Sequence, residues 1–140
     1  MKYSTTLVLL FSLQLICRTC FAEDFTQYVD PFIGTAYTGH TYPGATTPFG
    51  MVQVSPDTGN TGWQFCSGYH ESSHSIIGFS HTHLSGTGCA DLADVLFHPS
   101  NHDVDLSREG DIYEHLKFSH KDEEATPGYY KVYFRDERLL

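Results

Sequence analysis

Between Asp30 and Asp94 the chain gathers most of the side chains that could do chemistry, set among glycines, prolines and aromatic rings. His81-Thr82-His83 places two imidazoles at alternate positions, which on a strand would share one face and could bind a metal. A metallo-hydrolase with that spacing continues into Asp-His, whereas Leu84-Ser85-Gly86 follows here, which disfavours zinc. The alternative is that His81 and His83 hydrogen-bond loop backbone or line an interface, with one of them reaching sugar hydroxyls. Asp57, Asp91 and Asp94 could be imagined as a paired acid and base, but nothing around them separates their pKa values, so turn capping by the carboxylates is the simpler reading. Ser67, Ser80 and Ser85 lack the GxSxG frame of a nucleophile elbow. Glycine turns beside many rings describe flat side chains presented from tight loops, a surface suited to carbohydrate.

These loops need a scaffold, and the pattern that could supply it is short and strand-like. Runs at Met51 to Ser55, Ile76 to Leu84, Val95 to His98, Leu116 to Ser119 and Tyr129 to Phe134 are separated by turn residues. In the last, Tyr130, Val132 and Phe134 alternate with Tyr129, Lys131 and Tyr133, the period of a strand. No window carries a helical stripe. Proline and glycine combine at Thr41 to Gly44, Ser55 to Gly59 and Ala125 to Gly128, as β-turns require. The fold class expected is mostly β, an antiparallel β-sandwich. Asn101 to Glu114 reads as a polar connection and Asp122-Glu123-Glu124 as a solvated loop. The chain stops at Leu140 just after a strand, so it reads as a truncated sandwich.

Residues 1–22 have the order of a secretory signal, with Lys2, an apolar run from Leu7 to Cys17, and small residues before a cleavage point after Ala22. The run is short for a membrane span. Residues 23–140 then form one domain of 118 residues, secreted to an extracellular or periplasmic space. That part carries six basic residues against 17 acidic ones, which argues against nucleic acid or anionic membrane as a partner and is compatible with neutral sugars. Its cysteines are Cys66 and Cys89. In an oxidising compartment they are candidates for a disulfide contributing ~3 kcal/mol, and two buried thiols are the alternative.

Tyr28 to Thr35 (YVDPFIGT), Pro43 to Met51 (PGATTPFGM), Gly78 to Gly88 (GFSHTHLSGTG) and Phe118 to Val132 (FSHKDEEATPGYYKV) resemble the N-terminal domain of glycoside hydrolase family 92. The resemblance implies a β-sandwich that packs on a larger (α/α)6 barrel in a calcium-dependent exo-α-mannosidase, often specific for α-1,2 links in mannose-containing glycans. Such enzymes invert the anomeric carbon with two carboxylates set ~6.5–9.5 Å apart. The resemblance puts both carboxylates and the calcium ligands in the barrel, so no catalytic or metal-ligating residue is assigned in this chain. It implies a contribution to the sugar site from Trp63, Gly39, His40 and His83. Trp63 would offer an indole face to the apolar side of a pyranose, core packing being the alternative. The glycine loops Gly34 to Gly44 and Gly86 to Gly88 would pass close by, where no Cβ intervenes. The chain alone would then be inactive, and a stand-alone carbohydrate-binding module or a non-functional fragment are the rival readings. N-terminal sequencing of the secreted protein is expected to begin at Glu23; a start at Met1 would remove the signal reading.

Overall fold

The computed structural model describes residues 23–86, 88–91, 93–101, 103, 107 and 114–135. The signal expected over residues 1–22, and most of the Asn101 to Glu114 connection, lie outside the described residues. Among the described residues there are seven short strands: β1 Ser55–Asp57, β2 Ser75–Ile76, β3 Gly78–Ser80, β4 Leu96–Phe97, β5 Leu116–Lys117, β6 Glu123–Thr126 and β7 Tyr129–Val132. Single turns of 3₁₀-helix cover Phe25–Tyr28, Trp63–Phe65 and His120–Asp122. Every strand pairing among the described residues is antiparallel, in sheets ordered β1-β3-β4, β2-β5 and β6-β7. The mostly β, antiparallel class expected from the sequence is what the chain adopts.

Two elements depart from the expected boundaries. The run Ile76 to Leu84 divides at Ile77, whose amide donates to the Asp57 carbonyl at 2.8 Å, so that β2 joins β5 and β3 joins β1. Met51 to Ser55 is mostly loop, and the strand begins at Ser55 and runs into what was expected to be a Pro-Asp turn. The β6-β7 hairpin matches its turn chemistry. Pro127 and Gly128 form its two-residue loop, and Gly128 sits at φ 81°, a conformation that glycine adopts without steric cost.

The sheets meet on one apolar cluster of Tyr69, Ile76 and Phe118, with Phe32, Phe79 and Val132 packed against it. Full burial of a side chain such as Ile76 stabilises by about 1.5–3 kcal/mol. A polar hub borders this cluster. Glu123, read from the sequence as part of a solvated loop, has a side chain only 3% exposed. Its carboxylate accepts from the hydroxyls of Tyr69 at 2.8 Å and Tyr130 at 2.6 Å, and it also meets His120 Nδ1. Burial, and after it the charge and hydrogen bond of Glu123, push both phenols well above the usual tyrosine range, so they remain donors.

Outside the core the chain shows much apolar surface. The loop between Ala45 and Val54 is closed by the Ala45 amide donating to the Val54 carbonyl at 2.8 Å, and its tip carries Phe49 (85% exposed) and Met51 (84% exposed).

Glu123→Ala would strand two buried hydroxyls and is expected to cost about 3–5 kcal/mol, read by urea denaturation, against about 1 kcal/mol for Tyr69→Phe. A Glu123→Ala protein as stable as the parent would show that the hub is incidental. The raised phenols also set a pH dependence. The two tyrosines ionise first in the unfolded chain, so stability is full below pH about 10 and falls as pH rises above it. The double variant Tyr69→Phe, Tyr130→Phe is expected to flatten that fall.

Candidate functional site

Three segments converge around Trp63. The tryptophan opens the 3₁₀-turn Trp63–Phe65, which is closed by the Gly68 amide donating to the Phe65 carbonyl at 2.9 Å. The turn is tied to its neighbours by Ser67, whose hydroxyl donates to the Thr41 carbonyl at 3.0 Å. The second segment is the coil from Gly34 to Thr41, where the Thr41 amide donates to the Gly34 carbonyl at 3.3 Å. This coil is so tight that a Cβ on Gly39 would lie 2.1 Å from the Gly34 oxygen. It turns His40 into a left-handed backbone (φ 53°), a conformation that non-glycine residues keep only where their surroundings impose it. The buried His40 ring meets the indole edge-on, with centroids 4.4 Å apart and planes at 80°. The third segment is the glycine loop: the Gly86 amide donates to the His40 carbonyl at 2.7 Å, and Gly88 lies flat against the indole. A Cβ on Gly88 would fall 1.8 Å from Trp63 Nε1, so only glycine fits there.

Trp63 is nevertheless 57% exposed, so the core-packing alternative is not what the structure holds. The indole meets His40 at a right angle and Gly88 along its pyrrole atoms, while more than half of the residue faces solvent. Such a platform is rigid before any ligand arrives, and an apolar face meeting it loses little side-chain entropy. Trp63, Gly39 and His40 are thus brought together as the sequence grouped them.

His83 is not part of this face. It is 3% exposed, its Nδ1 donates to the Gln53 carbonyl at 2.8 Å, and its Nε2 lies 3.0 Å from both Asp57 Oδ1 and Ser80 Oγ. The structure thus holds His83, expected as a sugar contact, among protein partners. The imidazole bonds loop backbone, as the alternative reading had it, and joins Gln53 to Asp57 of β1 and Ser80 of β3. Asp57 likewise does not cap its own turn. Its Oδ2 accepts from the Ser80 amide at 2.8 Å across the sheet. His81 stacks edge-on against Phe97 at 5.1 Å, and Asp94 accepts from the Thr82 hydroxyl at 2.7 Å. Among the described residues no group of three His, Cys, Asp or Glu side chains is placed to hold a metal ion.

Cys66 caps the Trp63 turn and is buried; Cys89 follows Gly88 and is exposed. Both are thiols, the alternative to the expected disulfide, although Cys89 is not buried as that alternative had it. Burial raises the Cys66 thiol above the ordinary cysteine range, and the neighbouring Cys89 adds to that rise.

The residues that sequence reasoning missed are Tyr69, His120 and Glu123, which border a recess of about 380 Å³ together with Asp30, Thr35 and Glu71. Its acidic composition hides in the sequence because the carboxylates come from separate segments. Glu123 is committed to its three partners and is an anchor rather than an acid or base. Among the described residues no helix is long and apolar enough to cross a membrane.

Comparison with known proteins agrees with this geometry. Residues 28–139 match the glycosyl hydrolase family 92 N-terminal domain. The chain is similar to a family GH92 α-mannosidase of Bacteroides thetaiotaomicron solved with mannoimidazole, at 43% identity and a TM-score of 0.70, covering 79% of this chain and 15% of that one. A second solved GH92 glycosyl hydrolase is 32% identical with a TM-score of 0.64, covering 79% of this chain and 14% of that one. An uncharacterized secreted glycosidase of Arthroderma benhamiae is 42% identical over 65 residues, which are 46% of this chain and 8% of that protein. The chain therefore spans a small part of the length of the relatives it matches. Sequence motifs, antiparallel fold and matched domain agree, and the chain belongs to glycoside hydrolase family 92, where it corresponds to the N-terminal domain.

Proposed function

We propose that this chain is the part of a secreted, inverting α-mannosidase that lends an aromatic wall to the mannose site. The observation that carries the reading is the exposed indole of Trp63, held on one edge by His40 and Gly88. The mannosidase relatives support mannose-terminated glycans as substrate, and one of the similar solved proteins is an inverting mannosidase, 25% identical with a TM-score of 0.53; a preference for α-1,2 links is what the family resemblance implies. Trp63 would take the C–H face of the terminal sugar, with Gly39 and His40 shaping the approach. General acid, general base and calcium would come from the (α/α)6 barrel of the longer protein. When bound there, calcium would supply a fixed positive charge for the sugar's oxygens. This chain's own residues orient the sugar and exclude water from one side of it.

On this reading the chain alone lacks both proton-transfer groups, each worth roughly 10²–10⁴ in rate. Incubated with an α-1,2-mannobioside and calcium, it is expected to release no mannose; release at enzymatic rates would overturn the assignment. In the longer protein, Trp63→Ala is expected to lower kcat/KM at least tenfold, since burying aromatic anchors contributes about 2 kcal/mol or more. An unchanged kcat/KM would remove Trp63 from the site. Saturable binding of the mannobioside by the chain alone, followed calorimetrically, would instead favour a stand-alone carbohydrate-binding module.

A further inference from the structure

One half-buried imidazole, His70, touches two of the segments that build the Trp63 face. Its ring meets Phe65, the last residue of the Trp63 turn, edge-on, with centroids 5.3 Å apart and planes at 69°. Its Nε2 lies 3.1 Å from the Tyr37 carbonyl, in the coil that carries His40. Its Nδ1 takes the Ser72 amide at 3.1 Å and lies 2.8 Å from the Ser72 hydroxyl.

These partners fix the proton. An amide N–H can only donate and a carbonyl can only accept, so Nδ1 is bare and Nε2 carries the hydrogen. A proton on Nδ1 would point at the Ser72 amide hydrogen. Ser72 therefore holds the ring in the one tautomer and orientation that aim an N–H at Tyr37.

The coil needs such a tie. Tyr37 and His40 both have left-handed backbones, at φ 52° and 53°, a conformation that costs about 1–3 kcal/mol and persists only where neighbours impose it. The segment from Ser67 to Glu71 grips the coil at three carbonyls. The Glu71 amide donates to Thr35 at 3.0 Å and the Ser67 hydroxyl to Thr41 at 3.0 Å, near the two ends of the coil. Of the three, His70 is the one that reaches the middle, at a left-handed residue.

We propose that His70 is a positioning residue for the Trp63 platform, its Nε2–H tautomer clasping the coil that carries His40 to the turn that carries Trp63. It acts on the indole through other groups: through Tyr37 and the coil onto the edge-on His40 ring, and through Phe65 onto the turn. The consequence for mannose rests on the function proposed above, whereas the clasp does not.

The test uses His70→Phe, which keeps a ring against Phe65 and removes both nitrogens, and His70→Gln, which restores an N–H donor near the place of Nε2. Trp63 is the single tryptophan, so emission from the chain reports on the platform alone. With the circular dichroism of the parent retained, His70→Phe is expected to raise the quenching of Trp63 by acrylamide, and His70→Gln to bring it back towards the parent. Long-range proton–nitrogen correlation spectra of the unaltered chain in mildly alkaline buffer are expected to show His70 with Nε2 protonated and Nδ1 bare. A proton on Nδ1, or quenching unchanged in His70→Phe, would overturn the clasp. If His70→Phe fails to fold, the tautomer in the unaltered chain decides. In the longer protein, His70→Phe is expected to lower kcat/KM about fivefold or more and to add nothing to the loss in Trp63→Ala, since a misplaced indole no longer matters once it is gone. Losses that multiply would overturn the positioning role. An unchanged kcat/KM in Trp63→Ala would instead remove the mannose reading, with the clasp still decided by quenching and tautomer.

Discussion

The buried contact between His83 and Asp57 is the constraint on which the site geometry rests. Asp57 lies on β1, and its second oxygen holds the Ser80 amide of β3. His83 carries that grip outward, through Gln53, to the end of the loop that presents Phe49 and Met51. It also forms the floor on which the turn after Trp63 rests, since a Cβ on Gly68 would fall 2.5 Å from Asp57 Oδ1 and 2.9 Å from His83 Cδ2. A carboxylate and an imidazole taken out of water are tolerable only when fully partnered, and here every polar atom of both meets one. The requirement for partners therefore fixes where two strands, one turn and one loop end must be.

A second polar hub does the same on the other side of the core. Glu123 gathers Tyr69, Tyr130 and His120, so that the β6-β7 hairpin is located by hydrogen bonds as well as by Val132 and Phe79. With strands of two to four residues, ladder bonds alone hold little. The fold compensates by placing directional polar contacts where longer sheets would have cross-strand packing. This explains why buried polar residues, Asp57, Thr58, Ser67 and Ser80 among them, are so numerous around a small apolar cluster.

Legibility from sequence followed from this division of labour. The class was readable, because turn chemistry and the period-two run at Tyr129 to Phe134 act locally. Trp63, Gly39 and His40 lie outside the four motifs that carry the family resemblance, so their expectation as a group came from the resemblance as a whole and not from a local pattern. What escaped were residues whose role depends on partners distant in the chain. Glu123 sits in an acidic run that looks solvated until Tyr69, 54 residues earlier, is placed over it. His83 looks like a ligand in a His-Thr-His triplet until Gln53 and Asp57 close around it. Strand limits slipped for the same reason: Ile77 leaves the ladder only because its amide has the Asp57 carbonyl to meet.

The Phe49 and Met51 tip has a colloidal consequence. Both side chains stand almost wholly in water on a loop closed by hydrogen bonds, so they cannot fold back to hide themselves. Adhesion between molecules is then opposed chiefly by the excess of 17 acidic over six basic residues in residues 23–140. That repulsion reaches only about 8 Å at physiological ionic strength and shrinks as salt is added, whereas apolar attraction does not weaken with it. Dilute buffer is thus the condition in which this domain stays dispersed, and strong salt the one in which it gathers.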